Sequence, residues 1–222
     1  QKRAFNKIYA VRSADIYRST QEHVATESRR YDEESTNAYI ANAQNVASIN
    51  YTDTQPGGQI EQSIYLQEQA IRRYADRNGM PEEVVKQKIF DTTSKTHVAV
   101  INQMLANGMD TTASDYYKTN KSMISSDERV KLDKSIEQGM LLGESQRSAD
   151  DIFAKHSNNR NAAFEYTKDH IKDPALRKST EEQLERMFTR QSLAQRADNQ
   201  KNYQLASELV EQNQRPPANL TS

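Results

Sequence analysis

Along the first fifty residues, large apolar side chains recur at Tyr9, Ile16, Val24, Tyr31, Tyr39 and Val46, flanked by Phe5, Ile40 and Ile49, with mostly polar residues between. The mean step of about 7.4 residues per two turns lies nearer an eleven-residue than a seven-residue helical repeat. No Gly or Pro interrupts the stretch from Gln1 to Tyr51, so the pattern predicts one helix about 75 Å long. So narrow an apolar stripe cannot be buried by an isolated helix. It predicts a partner helix, from this chain or from another copy, with Tyr9, Ile16, Val24, Tyr31, Tyr39 and Val46 as the interface.

Thr52-Asp53-Thr54-Gln55-Pro56-Gly57-Gly58 is the strongest break in the chain and sets the first expected boundary. A second helix is expected from Gln59 to Arg77, with Ile60, Ile64, Ile71 and Tyr74 inward and a left-handed stop at Asn78-Gly79. Pro81 is placed at the first position of a third helix, where Glu82-Glu83 suit the positive end of the dipole. That helix carries Val85, Ile89, Val98, Ile101 and Leu105 and ends at Gly108. Asp110 reads as the N-cap of a short helix bearing Ala113, Tyr116 and Tyr117. Ser126 reads as the cap of a longer one whose apolar positions are Val130, Ile136, Met140, Ile152 and Phe153. A short helix from Arg160 to Ile171 follows, and Asp173-Pro174 opens a last long helix carrying Leu176, Leu184, Met187, Leu193, Leu205 and Leu209. No stretch alternates with period two, so no sheet is expected. The fold class is all-α and elongated: a long helical arm over 1–55, helical hairpins over 56–215 and a tail over 216–222.

A shift of 48 residues lays Met104-Leu105-Ala106 on Ile152-Phe153-Ala154, Tyr116 on Phe164, Arg129 on Arg177, Ile136 on Leu184 and Met140 on Phe188. Such a repeat implies stacked helical hairpins with cores shared between neighbours.

Composition changes this picture little. Hydrophobic residues are 35% and mean hydropathy is -0.98, values compatible with disorder, but six Gly and five Pro in 222 residues favour long helices. Thirty basic and 31 acidic residues, interspersed, give a net charge of -1 and no pull toward nucleic acid or an anionic membrane. The absence of Cys excludes disulfides, thiol nucleophiles and thiolate metal sites. The longest apolar run, Val98-Ala99-Val100-Ile101, is far short of a membrane span. The N-terminal residues lack an initiator Met and a signal-like apolar region, and Arg215 to Ser222 reads as a loop, so the chain is expected to be one piece of a longer polypeptide.

Chemistry-bearing signatures are sparse. His23, His97, His156 and His170 are far apart, with no i,i+4 pair, and neither a P-loop nor a dinucleotide-binding fingerprint occurs. Glu144-Ser145 is the sharpest catalytic candidate, because a Glu-Ser pair on a helix carries the general acid of lysozyme-like lytic transglycosylases. The segments that follow the Glu in those enzymes do not occur after Glu144. The acid pairs 33–34, 82–83, 127–128, 150–151 and 181–182 are read as solvated faces, three of them in first turns. Tyr116-Tyr117 beside Lys118 and Lys121 has the composition of a base-stacking platform, although core-edge tyrosine is the commoner outcome. No cofactor, metal site or small-molecule substrate is expected.

Ile101 to Gly108, Ala113-Ser114-Asp115-Tyr116-Tyr117-Lys118-Thr119-Asn120-Lys121, Ile136-Glu137-Gln138-Gly139 and Gly143-Glu144-Ser145-Gln146 together resemble the helical region of large tailed-phage and prophage virion proteins. The similarity spans roughly Thr36 to Val210. It implies a non-catalytic structural segment of a tail or ejection assembly, located in the virion. Its implied partners are further copies of itself and other virion proteins. The rival readings are a peptidoglycan lytic fragment using Glu144 and a helical-repeat adaptor that binds protein in a groove.

Overall fold

The computed structural model describes the backbone of residues 2–211 and the side chains of residues 11–211. The protein is all-α: the described residues form seven α-helices and one short 3-10 turn, without a strand. The helices are α1 Lys2–Ile49, α2 Gln59–Asn78, α3 Glu82–Ala106, α4 Asp110–Asn120, α5 Ser126–His156, α6 Arg160–His170 and α7 Pro174–Glu211, with the 3-10 turn Lys121–Met123 between α4 and α5. They divide into two compact units, Gln1–Ile136 and Glu137–Ser222. The loop at 52–58 therefore lies inside the first unit, where it joins α1 to α2.

In the first unit α2 folds back on α1. Asp53 organises the reversal: its Oδ2 accepts from the Gln59 backbone N–H at 2.8 Å, while Glu61 Oε2 accepts from Gly57 N–H at 2.5 Å. These carboxylates satisfy amides that a helix N-terminus leaves unpaired. Gly58 is packed so closely here that a Cβ would stand 2.6 Å from Asp53 Oδ1. At the other end of α2, Gly79 takes φ 62 and its N–H donates to the Ala75 carbonyl, as the Asn-Gly pair predicted. Ile40, Ile71, Ala75 and Val85 form the core of this end, with Met80 and Ile89 against it. Arg77 and Asp32 close it with a 2.8 Å ion pair.

The inward face of α2 is Ile60, Ser63, Gln67, Ile71 and Ala75, whereas Ile64 and Tyr74 are half-buried. Hydropathy pointed to the wrong pair because the buried seam between α2 and α3 is polar: Ser63 and Gln67 meet a helix that buries Thr93, Ser94, Thr96 and His97. Thr96 Oγ1 donates to Gln67 Oε1 at 2.9 Å, and Ser94 Oγ accepts from Ser125 N–H at 2.9 Å, so polar groups hidden from water are used as ties between elements. Three helix starts differ from expectation by a residue. Pro81 is the N-cap of α3, Asp110 is the first residue of α4 behind Met109, and Ser126 is the first helical residue of α5. Val130 is exposed, and Leu132 and Ile136 are the buried positions of early α5.

The second unit comprises the rest of α5 with α6 and α7. Ala149, Ile152, Ala163, Leu184 and Phe188 are its core, and the Phe153 and Phe188 rings meet edge-on at 4.9 Å. Asn159 Oδ1 caps α6 by accepting from Ala162 N–H, and Asp173 Oδ1 caps α7 by accepting from Leu176 N–H at 2.7 Å. Past Phe188, α7 buries nothing fully, and Leu193, Tyr203, Leu205 and Val210 are exposed.

Burial recurs at the 48-residue shift. Ile101 and Ala149, Met104 and Ile152, Leu132 and Thr180, and Ile136 and Leu184 are all buried pairs. The short helices break the register by two residues: Ala113 and Tyr117 of α4 match Ala163 and Thr167 of α6, so Tyr116 falls on Tyr166 and not on Phe164. A connector of three residues before α7, against five before α5, restores it.

Candidate functional site

Two features of the first unit stand apart from its packing. One is the outer face of α1. Its inward face, Thr36, Ile40, Ala43 and Ala47, begins only in the last third of the helix. From Val11 to Tyr31 every side chain except Glu27 is exposed. Within this stretch Ile16 is 67%, Val24 61% and Tyr31 75% exposed. Tyr39 is also exposed, Val46 is half-buried, and the side chain of Tyr9 lies outside the described residues. At about 100° per residue, Ile16, Val24 and Tyr31 share one face, roughly opposite the face that Thr36, Ile40, Ala43 and Ala47 turn to α2 and α3. The sequence stripe is therefore an apolar surface of α1 that the chain's own hairpins leave uncovered over 11–31.

The other feature is a cavity of about 620 Å³ beside the Asp53–Gly58 loop, a volume in the range of small-molecule sites. Ile60, Ile64 and Met123 supply apolar lining, and His97 and Tyr116 supply polar groups. His97 Nδ1 and Tyr116 Oη are 2.8 Å apart. Burial lowers the His97 pKa to about 4 and raises that of Tyr116 well above its ordinary value. Near neutrality this is an uncharged imidazole beside an intact phenol. Such a pair ties α3 to α4 and is poorly matched to proton transfer at that pH. These two residues are 19 apart in sequence, and no local pattern joins them.

The remaining candidates are dispersed. Tyr117 is buried, its pKa pushed up to about 12 chiefly by desolvation, with Lys121 Nζ 5.1 Å from its ring centre. Tyr117 thus faces the protein, and Tyr116 lines the cavity. Glu144 is exposed on α5, while Ser145 points inward, donating to the Leu142 carbonyl and accepting from Ser179 Oγ at 2.9 Å. His23 is exposed, and His170 stacks on Tyr166 at 3.8 Å. Of the acid pairs, 82–83 and 127–128 lie in first turns, two where three were expected. Among the described residues no three His, Asp or Glu side chains converge as metal ligands, and no helix is long and apolar enough to cross a membrane.

No family model, curated protein or solved structure matches the chain.

Proposed function

We propose that the chain is a non-catalytic structural component of a tailed-phage or prophage virion, built into a tail or ejection assembly by helix–helix contacts and self-association. The observation that carries this reading is the uncovered apolar face of α1: among the described residues, every side chain from Val11 to Tyr31 except Glu27 is exposed. Helices in water draw most of their stability from packing an apolar face, so a long arm of this kind is suited to assembly. The virion setting rests on the resemblance of the 101–146 segments to tail-associated and internal proteins. An exposed Glu144 beside an inward Ser145 favours a structural over a lytic role.

Sedimentation analysis of the chain tests the reading. The expected result is a reversible oligomer at micromolar concentration that Ile16→Asp with Val24→Asp converts to a monomer, with the helical circular-dichroism signal of the folded units kept. A monomer at all concentrations, or an oligomer indifferent to both substitutions, would overturn it.

A further inference from the structure

The order of residues along α1 specifies the partner and its direction. We infer that α1 pairs with α1 of a second copy, antiparallel, about a two-fold axis at Thr20. This rests on the self-association reading and adds to it the occupant of the uncovered face and the register.

Four of the six stripe positions are symmetric about Thr20. Ile16 and Val24 stand four residues on either side of it, and Tyr9 and Tyr31 stand eleven on either side. In an isologous antiparallel pair centred there, Ile16 of each copy lies against Val24 of the other, and sequence position brings Tyr9 opposite Tyr31. Ile16 and Val24 then flank the Thr20 axis, with aromatic positions beyond them, and Thr20, Ser13 and Glu27 are the polar positions between.

Charge selects the direction. Residues 2–18 hold five basic side chains and one acidic, and residues 22–34 hold five acidic and two basic. A parallel pair would set each position against itself, basic ends together and acidic segments together. It would also place Glu27, which helical spacing puts on the stripe face, against its own copy. In the antiparallel pair Glu27 comes opposite Ser13 and next to Arg12, and each basic segment lies along the partner's acidic one. Like charges across an interface are repelled and unlike ones attracted, so the same residues oppose one arrangement and favour the other. Access is open as well: the stripe lies on the side of α1 away from α2 and α3, so a partner helix meets no other element of the first unit there.

The chain has no native Cys, so single cysteines report the register directly. Thr20→Cys sits on the axis. Ser13→Cys meets Glu27→Cys across an antiparallel pair but is about 21 Å from its own copy along the axis, at 1.5 Å per residue, and beyond disulfide reach. Glu22→Cys, on the opposite face, sets the collisional background. Under mild oxidation of the 222-residue chain, Thr20→Cys alone and an equimolar mixture of Ser13→Cys with Glu27→Cys should cross-link at least fivefold above that background, while Ser13→Cys alone stays at it. Efficient cross-linking of Ser13→Cys alone would mean a parallel pair, overturning the antiparallel register while self-association stands. Background yields throughout, with a monomer in sedimentation, would overturn both. Background yields with an oligomer in sedimentation would move assembly to another surface and overturn the α1 pairing.

Discussion

His97 shows how one residue ties packing to solution conditions. Its imidazole is buried between α3 and α4 with Nδ1 on the Tyr116 hydroxyl, and its pKa falls from 6.5 to about 4 because burial disfavours the charged form. The unfolded chain therefore binds a proton that the folded one refuses between these two values, and stability drops as pH falls through that window. From pH 7 to pH 5 the loss attributable to His97 is roughly 2 kcal/mol, and it continues to grow down to about pH 4. Asp53, Glu61 and Asp115 line the same cavity. Chemical denaturation at the two pH values checks this: His97→Asn should flatten the difference by that amount. An equal pH dependence in the variant would show that the imidazole is solvated.

At the scale of elements, the caps carry the clearest signals. Asp173-Pro174 places a carboxylate on the Leu176 amide and a fixed φ in the first turn of α7. Asp173→Ala should lower the stability of the second unit by about 1 kcal/mol, read as a lower urea midpoint at unchanged slope, with Asp173→Asn recovering most of it. Helix existence, order and ends were legible to within a residue or two for the same reason: Gly79 and Gly108 with positive φ, Pro174 and the polar caps act locally. Faces were less legible. Ser63, Gln67, Thr93 and Thr96 are buried where α2 meets α3, and Thr96 bonds Gln67 across that seam, which depends on tertiary pairing that hydropathy does not encode. The uncovered face of α1 was visible as a stripe. What the sequence could not show was that α2 and α3 would take the opposite face, through Thr36, Ile40, Ala43 and Ala47. The His97–Tyr116 cavity left no trace in sequence because its walls come from α2, α3, α4, the 3-10 turn after α4 and the loop before α2.

At the scale of the molecule, the chain separates what it folds with from what it leaves for contact. Among the described residues the core of the first unit begins at Thr36, and Asp32 binds α2 through Arg77 and Asn78. From Val11 to Tyr31 the helix continues without a buried side chain. Removing residues 1–30 should therefore leave both units folded, because the Asp32–Arg77 pair, itself an exposed contact of at most about 1 kcal/mol, and the whole of the Ile40–Ile71–Ala75–Val85 cluster remain. At low concentration the truncated chain should melt within a few degrees of the intact one. The two should part as concentration rises: association stabilises the folded state by mass action, so the intact chain's Tm should climb with concentration while that of the truncated chain stays flat. Thermal melts across a hundredfold range of concentration make the comparison. Parallel behaviour of the two chains would return the arm to a solvated extension, and loss of the melt on truncation would make it part of the fold. The expected divergence instead assigns α1 two tasks on opposite faces, folding over its last third and assembly over the residues that precede it.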